Sequence, residues 1–249
     1  MEDMPAPQMQ AAEQGTVQQG VAGQYTLAVG EVVREAWNRV AGNKGTLWIG
    51  MLIYLGVNFV IGLGFGLLLV GDVPPVPEGT MQMPTPGESL ADLLTTLLTL
   101  PLTVGLMLLG ASIACGRSPS PTSLIAWYDR LLKLVLTYIL MSVLIVIGLL
   151  LLVLPGIYLA VSYQLALPLV ADKDLGVWEA LETSRKTVTH RWFTFFGLNL
   201  VGGLAVAGSV LLIGIPLIWV LPACLIGFGI MYRNTVGVEN VTLQRVGGS

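Results

Sequence analysis

Residues 134–171 read LVLTYILMSVLIVIGLLLLVLPGIYLAVSYQLALPLVA, without a single charge, between Lys133 on one side and Asp172 and Lys173 on the other. The first arm, 134–154, is long enough to cross a membrane as a helix, which takes roughly 20 apolar residues. Leu154-Pro155-Gly156 is a turn signal, and a second apolar arm, 157–171, follows it. The stretch is thus an apolar helical hairpin whose charged ends lie on the same side.

Two more hairpins flank it. Upstream, runs 47–70 and 90–115 are joined by residues 71–89, which carry five prolines with Asp72, Glu78 and Glu88. Those carboxylates need water, so this loop is expected to emerge on the far side. Downstream, runs 193–213 and 217–232 are separated by Gly214-Ile215-Pro216. None of the 12 Lys and Arg residues falls in the three turns. They gather at the open ends of the hairpins, as the positive-inside rule requires of a cytoplasmic face.

The expected fold is therefore an all-α membrane protein with six transmembrane helices. Composition agrees: the chain of 249 residues is 54% hydrophobic and 11% charged, against about 25% charged in soluble domains, and its mean hydropathy is +0.78. A net charge of -3 points to no nucleic-acid partner. The fourth and sixth runs are short, about 23 Å at 1.5 Å per residue against a hydrocarbon core of about 30 Å. Spanning a thinned bilayer and turning inside it both fit such runs, because both leave the charged ends on one side. Spanning is the expectation taken forward.

A second pattern precedes each hairpin. Segment 27–41 spaces Val29, Val33, Ala36, Trp37 and Val40 helically, with Thr26 as the expected N-cap. Segment 120–133 opens with Ser120 and Pro121, a cap and first-turn signature, and turns Leu124, Trp127, Tyr128 and Leu131 toward apolar surroundings. Segment 175–192 places Trp178, Leu181 and Val188 on one face and the pair Glu182 and Lys186 on the other. Each is expected to lie in the headgroup layer as an amphipathic helix, with Trp37, Trp127, Tyr128, Trp178 and Trp192 as interface anchors. The architecture becomes three repeats of interfacial helix plus hairpin, about 26–115, 119–172 and 175–233, within a six-helix membrane domain at 25–235. The Gln-, Gly- and Pro-rich 1–24 reads as a disordered cytoplasmic tail, and 236–249 as a second, short one.

No ionisable residue sits well inside a run, which argues against proton pumping and ion-coupled antiport. One histidine, His190, and two cysteines, Cys115 and Cys224, provide no metal-ligand spacing. No nucleophile motif or phosphate loop is present, so neither catalysis nor a cofactor is expected. Polar residues within the runs, Asn58, Tyr158, Tyr163, Gln164 and Asn199, are candidates for inter-helix hydrogen bonds or for lining a cavity. Gln164 is the foremost of them. Small residues at Gly62 and Gly66, and at Gly203, Ala207 and Gly208, suggest close helix packing.

Residues 151–170, LLVLPGIYLAVSYQLALPLV, followed by LGVWEALETSR at 175–185, resemble bacterial membrane proteins of the glycerophosphoryl diester phosphodiesterase membrane-domain family and the related YciC-like and DUF975 groups. Val29-Gly30-Glu31 is similar to their N-terminal element. The resemblance implies a polytopic module of the bacterial inner membrane, without the phosphodiesterase domain that some members carry. The functional expectation is a non-catalytic protein that engages membrane lipids and organises the bilayer, or scaffolds a partner or further copies of itself. The competing expectations are a permease-like transporter with a cavity near Gln164, and an accessory subunit of a membrane complex.

Overall fold

The computed structural model describes residues 14–70 and 84–247, and all regular elements among them are helical. Residues 71–83, most of the expected far-side loop, and residues 1–13 lie outside the described residues. The order is α1 (Val17–Val21), α2 (Val29–Leu69), α3 (Pro86–Ala114), a 3-10 helix (Pro121–Arg130), α4 (Leu131–Leu151), α5 (Val153–Ser162), α6 (Ala166–Lys173), α7 (Val177–Thr189), α8 (Trp192–Leu211), α9 (Leu217–Thr235) and α10 (Asn240–Val246). Six helical stretches are long and apolar enough to cross a membrane: Val29–Leu69, Pro86–Ala114, Pro121–Leu151, Val153–Lys173, Trp192–Leu211 and Leu217–Thr235.

Helix α2 runs unbroken for 41 residues, from an Ala28 N-cap residue instead of the expected Thr26. Segment 27–41 is therefore no separate interfacial helix; from Val29 on it is the lower part of the same continuous helix as the first apolar run. Gly42 and Gly45 do not break it, since a helical glycine costs only about 1 kcal/mol. Burial of Val32, Ala36, Val40 and Leu47 offsets that cost. The second expected interfacial helix is a 3-10 segment that starts at Pro121 as expected and continues directly into α4. In α7 the buried face is Ala180, Leu181, Ser184, Thr187 and Val188, and Trp178 points outward, away from them.

The capping box Thr85/Glu88 and Pro86 start α3, the most enclosed of the spans. Helix α3 lies between α2, α9 and the 3-10 helix. Its contacts with α2 fix the level of every residue. Gly50 faces Leu106, Asn58 Nδ2 donates to Thr99 Oγ1 at 3.3 Å, and Gly62 faces Thr95. Lower down, α9 runs antiparallel to α2, from Arg233 beside Glu35 to the Ile218 carbonyl, which accepts from Trp48 Nε1 at 3.0 Å.

The three hairpins do not pack as equivalent units. Helix α9 packs more extensively on α2 and α3 than on its own partner α8. Helices α3 and α9 come close where Gly110 meets Gly229: a Cβ on either would collide with the other helix's backbone. Nothing lies within 4 Å of where a Cβ would sit on Gly64, Gly66, Gly203 or Gly208.

The fourth apolar run is two helices, α5 and α6, broken at Tyr163-Gln164-Leu165. Ser184 of α7 bridges the break. Its hydroxyl donates to the Ser162 carbonyl at 2.6 Å and accepts from the Leu165 amide at 3.2 Å. Both terminal segments fold back on the bundle where they are described. The Gly15 amide donates to the Arg233 carbonyl at 2.9 Å and buried Tyr25 donates to the Thr187 carbonyl at 2.7 Å. Helix α10 buries Leu243 and Val246, and Ser120 donates its amide to the Val246 carbonyl.

Candidate functional site

An apolar groove of about 450 Å³ opens between the lower part of α2, α8 and α9. It exists because α8 and α9 touch only sparingly while α9 is drawn onto α2 and α3. Val33, Trp37, Val206 and Phe228 supply its walls, and Gly202, Gly203 and Gly227 widen it by having no side chain. Asn199 is the one polar amide among the lining residues. A volume of this size, apolar with one fixed polar group, is typical of a small-molecule or acyl-chain pocket.

The expected polar residues do not converge on one cavity. Asn199 donates to Gln164 Oε1 at 3.0 Å and to the Phe195 carbonyl at 2.8 Å. Gln164 itself sits at the α5–α6 break, with its Nε2 buried and unpartnered, as is the Ser162 hydroxyl next to it. Tyr163 packs in a separate small cluster with Ala166 and Leu181. Tyr158 bonds Thr189 and stacks on Trp192. Asn58 bonds Thr99 in the upper part of the first hairpin. Gln164 and Asn199 are thus joined, and only Asn199 reaches the groove.

The aromatic residues also divide. Trp37 and Trp178 are largely exposed and Tyr128 partly so. Trp127 is 1% exposed, with Arg245 over its ring at 5.0 Å; the protein covers it and it faces no interface. Trp192 is half-buried between Tyr158 and Phe196.

A belt of ion pairs runs beside the groove, at the same turns of α2 and beyond. Arg233 bonds both carboxylate oxygens of Glu35, at 2.8 and 3.1 Å, and Arg39 joins at 2.9 Å. Asp172 is buried and accepts from Tyr232 at 2.9 Å and from the Glu239 amide at 3.0 Å. A hydrogen bond from Lys133 and the charge of Arg130 hold Asp174 below the usual carboxylate range. On α7, the hydrogen bond from Arg185 does the same for Glu182. Burial pushes the Tyr25 hydroxyl up to about 12. Most of the basic residues on this face are thus neutralised by carboxylates of the same chain. They position helices more than they offer free cations.

Sequence reasoning missed the groove because its walls are apolar side chains and glycines from three separate helices that share no motif. It also missed the Asp172–Tyr232–Glu239 lock, in which Asp172 meets partners 60 and 67 residues away. Cys115 and Cys224 are free thiols, and among the described residues no three His, Cys, Asp or Glu side chains gather as a metal site would need. No protein-family model matches this chain, and no curated protein or solved structure does either.

Proposed function

We propose that this is a multi-pass protein of the bacterial cytoplasmic membrane, with both termini on the cytoplasmic side. In this reading it engages lipid and organises the bilayer without catalysing a reaction. The groove between α2, α8 and α9 carries the reading. It is apolar along its length and bordered by exposed Trp37; the Asn199 Nδ2 is taken up by Gln164 and the Phe195 carbonyl, which leaves its amide oxygen to accept from a headgroup donor. A lipid acyl chain is the ligand that such a lining prefers, since it gains apolar contact and leaves no polar group unpaired. The sorting of basic residues supports the orientation, and the resemblance over 151–192 supports a bacterial membrane.

The test is photo-crosslinking in vesicles with a phospholipid carrying a photoactivatable acyl chain. Adducts concentrated on α8 and α9, and reduced several-fold by Gly203→Trp, are expected. Nothing lies within 4 Å of the position of a Gly203 Cβ, so the bulky side chain has room to occupy the groove. Adducts spread evenly over all apolar helices and indifferent to Gly203→Trp would overturn the reading.

One observation favours a second reading, passage of a small neutral solute. The α5–α6 break leaves two buried polar atoms, Gln164 Nε2 and the Ser162 hydroxyl, without partners, and broken helices with free polar groups are where transporters bind substrate. Glycerol entry into proteoliposomes that Gln164→Leu abolishes would support it; equal rates for protein-free, unmodified and variant vesicles would dismiss it.

A further inference from the structure

The apolar surface of this protein is stepped. Ile218, at the head of the third hairpin, accepts a hydrogen bond from Trp48, and Lys44 lies over the neighbouring Trp219 ring at 5.0 Å. From Trp48, α2 continues for another 21 residues to Leu69, about 31 Å at helical rise. The first hairpin alone therefore travels a full hydrocarbon thickness beyond the point where the third one turns back. Lys44 and Trp219 together, a cation beside an indole, mark a headgroup level, and Asp92, level with the Gly62–Gly66 part of α2, marks the opposite one. The stretch of α2 between Lys44 and Gly62–Gly66 covers about 27–33 Å, one bilayer core.

The second hairpin is limited in a different way. Helix α7 lies antiparallel along its descending arm, with Ser184 at Ser162 and Leu165, and Thr189 at Tyr158, hydroxyl to hydroxyl at 2.6 Å. Any slab that held the whole hairpin would also hold Glu182, Arg185 and Lys186, which are ionised, mutually paired and partly open to solvent. Only four residue steps, from Leu154 to Tyr158, about 6 Å, separate the tip from that charged helix.

Both tips are nonetheless built for hydrocarbon. Leu150–Leu154 are 64–81% exposed, and Leu211–Ile213 and Ile215 are 62–89% exposed, with no polar side chain among them. Their backbones are satisfied in part from within. The second hairpin turns on one extended residue, Leu152, whose amide reaches the Gly148 carbonyl at 3.0 Å, and Pro155 removes a donor just where α5 begins. In the third, Gly214 donates to Ser209 at 2.9 Å and Leu217 to Gly214 at 3.0 Å. Each such bond lowers the cost of placing the turn among acyl chains, where an unpaired amide is costly, and the amides left over favour a shallow position close to the headgroups.

We propose that hairpins α4–α5 and α8–α9 insert their tips only into the leaflet on the basic side, among its acyl chains, while α2–α3 crosses both leaflets. A consequence follows for the bilayer. Leu200, Val201 and Leu204 of α8 are exposed, and Val201 shares the groove with Val33 and Trp37 of α2, level with the charged part of that helix. A flat leaflet cannot cover this flank and leave Arg34 and Arg39 in water, so the basic-side leaflet is drawn outward around the third hairpin, a mismatch response. The inference rests on the chain being a membrane protein and is independent of whether the groove holds a lipid.

Spin-label depth measurement on the full chain in vesicles, using oxygen and nickel relaxation, tests it. Labels are placed one at a time at Leu152→Cys, Ile213→Cys, Leu55→Cys and Thr85→Cys, with Cys115 and Cys224 replaced by Ala. Labels at 152 and 213 are expected within about 10 Å of the basic-side phosphates, the depth of interfacial insertion, with 55 deeper and 85 at the opposite surface. A label at 152 or 213 beyond the bilayer midplane overturns the proposal. Should either variant fail to reconstitute, Leu150→Cys or Leu212→Cys reads the same tip. A water-exposed label at 55 would instead remove the membrane reading itself, an outcome distinct from deep tips.

Discussion

Arg233 holds Glu35 through two hydrogen bonds across 198 residues of sequence, Nη1 to Oε1 at 2.8 Å and Nη2 to Oε2 at 3.1 Å. The same guanidinium donates to the Ala114 carbonyl at the end of α3, while Arg39 reaches the Ile113 carbonyl at 3.1 Å. One planar fork therefore ties the foot of α2, α3 and α9 together, a task suited to arginine over lysine. Both partners are partly exposed, so the pair is worth less than a fully buried one. Arg233→Met should lower stability by about 1–3 kcal/mol, through the unpaired carboxylate and helix-end carbonyls it leaves. The check is a double-mutant cycle with Glu35→Gln, followed by unfolding in mixed micelles. A coupling energy near zero would show that the two side chains act separately.

The crossing of Gly110 over Gly229 makes the second prediction. Gly110→Val and Gly229→Val must push α3 and α9 apart, since each new side chain meets backbone that cannot yield. Either should cost several kcal/mol, at the upper end of overpacking penalties, and reduce the yield of folded protein. Gly66→Ala, in open space on α2, should be neutral or stabilising by up to about 1 kcal/mol through helix propensity. Thermal stability of the three variants in one detergent decides the matter, and equal losses in all three would refute the assignment.

That contrast shows where sequence stops being legible. The apolar runs and the sorted charges specify helices and hairpin ends directly, because lipid permits few alternatives, and six helices long and apolar enough to cross appear where hydropathy puts them. Spacing cannot say which small residue meets a partner. Gly62 and Gly66 have the familiar four-residue interval, yet the tight crossing is between Gly110 and Gly229, brought together by folding over more than a hundred residues. Nor can amphipathicity alone separate a helix that lies on a membrane from one that extends into the next span, as α2 does. Of the expected site, the Gln164–Asn199 pair could be anticipated from polar residues in apolar runs. The groove could not, since it arises from α9 preferring α2 and α3 over α8.

Gln164 offers a third prediction. It accepts one bond from Asn199, but its own Nε2 is buried without an acceptor, and an orphaned buried donor costs about 1–3 kcal/mol. Gln164→Met removes the orphan and keeps the volume. Asn199 keeps its bond to the Phe195 carbonyl at 2.8 Å. The relieved orphan offsets the lost Asn199 bond, so the variant should lie within about 1 kcal/mol of the parent in a thermal melt. The lost Asn199 bond accounts for about 1 kcal/mol, so a drop of more than about 2 kcal/mol would mean that Nε2 has a partner, such as an ordered water or a bound solute, and would support the transport reading.

The last prediction concerns pH and the docked N-terminal segment. Tyr25 is buried beside Phe195, donates to the Thr187 carbonyl at 2.7 Å, and has its hydroxyl pushed up to about 12 by burial. In the released segment the hydroxyl titrates near its ordinary value of about 10. A folded pKa above the unfolded one means that the docking free energy is fully present below pH 10. It is then lost as the pH rises from 10 towards 12, because the released form gives up its proton first. Segment 14–25 should therefore detach on alkalinisation before the apolar spans respond. Limited proteolysis across pH 8 to 11.5, with tyrosinate absorbance recorded in parallel, should show cleavage between residues 14 and 28 rising above pH 10. Tyr25→Phe should weaken docking by about 1 kcal/mol at neutral pH, the usual worth of one hydrogen bond, and remove the alkaline step. A Phe variant that retains the step would place the titrating group elsewhere, and cleavage that does not change with pH would mean that Tyr25 does not hold the segment.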